Sequence, residues 1–145
     1  MKNTLATVLF ALLFLAFGQS CIEADDLVTP SVEAPVLLLL SGSQFQADAP
    51  VSVQTRVYTL DKTHILDHTR GIDSIPVAGL SLQVFLNPTT QIGTLETDAQ
   101  GRGTFTSSWS ALGLATPRAG TQVRLEFAGQ HKGVNFRRYH TVRVQ

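Results

Sequence analysis

Two histidines four residues apart, His64 and His68, stand among Asp61, Asp67 and Asp73 in one polar stretch of the chain. On a turn of helix the two imidazoles would share a face and, with Asp61 or Asp67, offer zinc or copper a nitrogen and oxygen set. Neither a third histidine nor a thiolate is adjacent in sequence, and Ile65 and Leu66 suggest local packing. The competing reading is therefore a recognition loop at one end of a rigid scaffold. Trp109, the only tryptophan, would with Tyr58 or Tyr139 make a stacking platform for a sugar ring. Beside Leu112 and Leu114 it would instead plug the open end of a β-sandwich. The segment Asp98–Gly101 superficially looks like a calcium loop but lacks the repeated acids that calcium needs. It reads as a structural turn, with Asp98 at its start and Gly101 where a positive φ is cheap. Gly-x-Ser-x-Gly, His-Glu-x-x-His, Cys-x-x-Cys and phosphate-cradling glycine loops are absent. The chain is read as non-enzymatic, and its pattern implies no cofactor.

Charge narrows the partners. The 145 residues hold 11 Lys plus Arg against 11 Asp plus Glu, a balance that argues against the nucleic-acid backbone as a partner. The neutrality is uneven along the chain: residues 22–101 carry ten acids against three bases, and residues 102–145 carry seven bases against Glu126. If the last two strands are neighbours, Arg124, Arg137 and Arg143 would form an outward basic stripe suited to an acidic glycan, lipid headgroups or a protein. The alternative is cancellation by cross-strand ion pairs.

The N-terminus reads as an address. Lys2 precedes Leu5–Phe17, in which only Thr7 is not apolar, and Gly18, Gln19 and Ser20 follow. This run of about 13 residues is too short for a transmembrane helix and fits a secretory signal over residues 1–20. The sole cysteine, Cys21, comes immediately after it. Phe17-Gly18-Gln19-Ser20-Cys21 resembles the lipobox of bacterial lipoproteins, although that family usually has Leu where Gly18 stands. The resemblance implies cleavage before Cys21 and lipidation of its thiol, hence membrane anchoring in a bacterial envelope. Ordinary signal cleavage, leaving a free thiol on a secreted or periplasmic protein, is the alternative. Ile22-Glu23-Ala24-Asp25-Asp26 resembles the acidic export signal of surface lipoproteins and reads equally as solvated linker. Pro30 and Pro35 make residues 21–35 an extended spacer.

Beyond the spacer, apolar residues alternate with period 2 between turn signals, and no sustained helical period appears. About seven strands are expected over residues 36–145: Val36–Leu40, Val51–Val57, Leu80–Leu86, Ile92–Thr97, Gly103–Ser108, Val123–Phe127 and Phe136–Val144. Ile92–Thr97 and Gly103–Ser108 are expected to pair as a hairpin across the Asp98–Gly101 turn. In the last strand Arg138 and His140 share the parity of Phe136, Val142 and Val144. Either a bulge shifts the register near His140 or a cation lies over the core edge. The fold class is all-β, an antiparallel sandwich.

Ile75-Pro76-Val77-Ala78-Gly79, followed by an alternating strand and then Thr97-Asp98-Ala99-Gln100-Gly101, resembles the bacterial Ig-like domains of invasin and intimin adhesins. Similar turns occur in transthyretin-like and carboxypeptidase-regulatory sandwiches. The resemblance implies an Ig-like domain serving adhesion, protein interaction or a structural role. A carbohydrate-binding module is the alternative function, and a metal-binding or enzymatic protein using the 61–76 segment a third. The chain departs from the pattern in that segment, which is longer than the family's.

Overall fold

The computed structural model describes residues 34–145. The readings of a signal over 1–20, of Cys21 and of the linker up to residue 33 lie outside the described residues. Nine strands organise the domain: β1 (Leu37–Ser41), β2 (Gln44–Phe45), β3 (Val51–Asp61), β4 (Asp73–Pro76), β5 (Ser81–Asn87), β6 (Thr90–Glu96), β7 (Arg102–Ser107), β8 (Gln122–His131) and β9 (Val134–Val144). The described residues contain no helix, and therefore none long and apolar enough to cross a membrane.

The strands form two sheets. In the first, β3 pairs with β1 along one edge and with β7 and then β4 along the other. The second has the order β2-β9-β8-β5-β6, antiparallel apart from the short parallel pair β2–β9. Alternation explains how they join. Val51, Val53 and Val57 of β3, Leu82 and Val84 of β5, Leu125 and Phe127 of β8, and Val142 and Val144 of β9 are fully buried in one core. Each occupies the inward parity of its strand. Phe105 and Phe127 meet edge to face across the core, with centroids 6.2 Å apart.

Two strands exceed the expected seven. β2 is only two residues long, and β4 lies within the polar insertion. The chain leaves the first sheet after β1 at Gly42, whose φ of 92° and close approach to the Ser52 carbonyl leave no room for a side chain. β2 then joins β9, with the Arg143 N–H donating to the Ser43 carbonyl at 2.8 Å.

The expected hairpin across Asp98–Gly101 does not form. β6 pairs with β5 in the second sheet and β7 with β3 in the first, so the turn carries the chain from one sheet to the other. Leu95 and Phe105, on either side of it, are both buried in the shared core. That common burial draws the two strands onto opposite layers instead of side by side. In β9 the pairing with β8 runs unbroken from His131↔Val134 to Gln122↔Arg143, so there is no bulge. His140 keeps the inward parity opposite Leu125, and its Nε2 lies 2.8 Å from the Gly42 carbonyl oxygen at the core edge. Arg138, opposite Phe127, is exposed.

Candidate functional site

The outward face of the second sheet carries the one buried acid of the described residues. Glu126 is 5% exposed. Cross-strand register brings it between two rings, for Tyr139 of β9 and Phe85 of β5 stand directly opposite it on either side, and opposed residues share a face with Cβ atoms about 4.5–5.5 Å apart. The β5–β6 pairing is irregular at Phe85, between Val84 and Asn87, the kind of local kink that re-aims a side chain.

The carboxylate is half engaged. Arg137 Nη1 donates to Glu126 Oε1 at 3.0 Å, while Oε2 is buried without a hydrogen-bond partner. Glu126 also borders two clefts. One, of about 700 Å³, runs towards Gln83, Gln130 and Asn135, and the other, of about 270 Å³, towards Leu86, Arg124 and Tyr139. The Arg124 guanidinium lies 3.8 Å from the centroid of the Tyr139 ring, a cation–π contact.

The three arginines expected to form a basic stripe do share this face, but each is occupied. Arg137 pairs with Glu126, Arg124 covers Tyr139, and Arg143 donates to the Gln122 carboxamide oxygen opposite it. The result is a groove of mixed charge and aromatic character.

The other candidates do not gather into a site. No group of three or more His, Cys, Asp or Glu able to hold a metal occurs among the described residues. The helical turn that would align His64 and His68 does not form. Two successive turns replace it, closed by the Ile65 N–H on the Lys62 carbonyl and the Arg70 N–H on the Asp67 carbonyl. Asp61 Oδ1 accepts from the amide and hydroxyl of Thr63, and Asp67 Oδ1 does the same with Thr69. The threonine hydroxyl, more than its amide, holds each carboxyl below the ordinary aspartate range. These oxygens serve local turns. Leu66, at the tip, is 97% exposed.

Trp109 is buried, and its Nε1–H donates to the Gln46 carbonyl at 3.0 Å. With Leu112 it fills one end of the core, so it presents no face for sugar stacking. Tyr58 and Tyr139 lie in different sheets. Asp98 Oδ1 accepts from the amides of Gln100 and Arg102, and Gly101 has φ of 70°, which makes Asp98–Gly101 a self-contained turn. Sequence reasoning missed Glu126, which it counted only as the single acid among C-terminal bases. Its outward parity next to Phe127 was visible, but the flanking rings come from other strands.

Comparison with family models, curated proteins and solved structures finds no match.

Proposed function

We propose that the protein is a non-catalytic bacterial envelope lipoprotein displaying one Ig-like β-sandwich, which engages its partner through the outer face of the second sheet. The observation that carries the interaction role is the buried, half-satisfied Glu126 carboxylate between Phe85 and Tyr139. A solvent-facing sheet with no recognition task has little reason to bury an acid and leave one oxygen unpaired. Hydrogen-bonding groups and rings converging on a cleft are what a binding surface requires.

Strand order supports the Ig-like reading. β1, β3 and β7 are adjacent in one sheet and β5, β8 and β9 in the other, the partition of the A, B, E and C, F, G strands of an Ig sandwich, with β6 in the place of the extra strand of variable-type domains. The spacing of the signal segment and Cys21 supports the lipid anchor, and the acids of residues 22–26 support export to the surface of the outer membrane.

Mass spectrometry of the mature N-terminus tests the anchor. The expected product begins at an acylated Cys21, and an unmodified thiol makes the protein secreted or periplasmic. Protease added to intact cells is expected to digest the domain. Protection until the outer membrane is broken removes the surface assignment.

A further inference from the structure

We infer that the groove over Glu126 binds a neutral polyhydroxylated ligand, a saccharide; this rests on the reading of that sheet face as a recognition surface and specifies its ligand class. The orphan Oε2 of Glu126 is an acceptor in a residue 5% exposed, so the group that completes it is a donor entering from the cleft. Arg137 is the complementary half. Its side chain is 61% exposed and commits Nη1 to Glu126, which leaves guanidinium N–H groups that can only donate. An adjacent pair of hydroxyls answers both needs, one O–H donating to Oε2 and the neighbouring oxygen accepting from Arg137.

Charge selects against other ligands. Glu126 and Arg137 are the only charged residues lining the larger cleft, and Arg124 adds a second cation on the Tyr139 side. A cationic ligand would meet two guanidiniums around a single carboxylate already held by one of them. An anionic group would be drawn to the guanidiniums but brings only acceptors, and so would leave the acceptor Oε2 without a partner. A neutral hydroxyl meets neither penalty. The remaining polar groups of the larger cleft, Ser81, Gln83, Gln130 and Asn135, donate and accept alike, as polyol recognition requires. Phe85, opposite Glu126 on β5, lines the same cleft and supplies apolar surface against which the C–H face of a pyranose packs. The cleft, about 700 Å³, falls in the size range of small-ligand sites.

The test is an array of neutral and acidic saccharides probed with the full chain and with its Glu126→Gln variant, each checked for native Trp109 fluorescence. Expected is retention on neutral saccharides, weakened about tenfold or more by Glu126→Gln, the loss associated with a hydrogen bond to a charged group. A blank array, retention on acidic saccharides alone, or retention indifferent to Glu126→Gln in a natively fluorescing variant overturns the inference. A photo-crosslinker placed at position 130 of the full chain on cells separates the recognition role of the face from its ligand class. A protein adduct together with a blank array leaves the face a recognition surface and removes the saccharide, whereas no adduct and a blank array remove both.

Discussion

The Thr97 hydroxyl donates to the Val77 carbonyl oxygen at 2.7 Å across twenty residues of sequence. The Thr97 hydroxyl oxygen in turn accepts the Leu80 N–H at 2.9 Å, and the Thr97 carbonyl accepts the Gly79 N–H at 2.8 Å. The two separated motifs that suggested a family, Pro76–Gly79 and Thr97–Gly101, are thus parts of one hydrogen-bonded joint. Because Thr97 is 4% exposed, no water substitutes easily. Thr97→Val is expected to leave a buried carbonyl and a buried amide unpaired and to lower stability by about 2–4 kcal/mol. Thr97→Ser retains most of it. Urea unfolding of the two variants checks the pair, and equal losses would show that the methyl group, not the hydroxyl, matters.

Gly101 extends this joint into the first sheet. Its carbonyl accepts the Val57 N–H at 2.8 Å, and a Cβ on it would come 2.5 Å from the Val57 carbonyl oxygen, at a φ of 70°. Gly101→Ala is expected to cost about 1–3 kcal/mol from backbone conformation alone, with the clash in addition. A thermal midpoint unchanged from the parent would contradict it.

Trp109 reports on the core. Burial predicts blue-shifted emission and slow quenching by acrylamide in the native chain. Trp109→Ala is expected to destabilise by about 3–5 kcal/mol. It should leave binding at the Glu126 groove unchanged in molecules that remain folded, because Trp109 does not line that groove. Red-shifted native emission would instead mean an exposed ring.

The loop turns should respond to acid in one direction. Bonds from Thr63 and Thr69 favour the charged forms of Asp61 and Asp67 and hold both below the ordinary aspartate value. A depressed native value makes the stabilisation complete above the ordinary aspartate range and lost only as pH falls through the lowered value. The Thr63 and Thr69 amide resonances are therefore expected to shift with midpoints below the ordinary aspartate value. Thr69→Val should move the Asp67 midpoint upward, and a midpoint at or above the ordinary value in the parent chain would refute the assignment.

Much of the architecture was legible because burial on one face imposes period 2. Val51, Val53 and Val57, then Leu82 and Val84, then Val123, Leu125 and Phe127 mark their strands without help from the rest of the chain. β2 escaped because two residues carry no period, and β4 because Asp73–Pro76 is exposed along its whole length. Asp98 and Gly101 announce a reversal, but turn chemistry does not say whether the flanking strands pair with each other or diverge to different sheets. That depends on Leu95 and Phe105 meeting a core assembled from elsewhere. The groove was harder still. Arg124 and Arg137 stood out by charge, yet the burial of Glu126 arises from the register of β5 and β9 on either side of β8, a long-range property.

β3 and β4 close their ladder with Asp61 opposite Asp73, and Val57 supplies the backbone groups that seat both Gly101 and Val77 just below. Everything between the two aspartates hangs from a finished clasp and contributes no residue to the buried core. The segment is in effect an exchangeable cassette: replacing it is expected to leave the stability of the sandwich that carries it nearly unchanged.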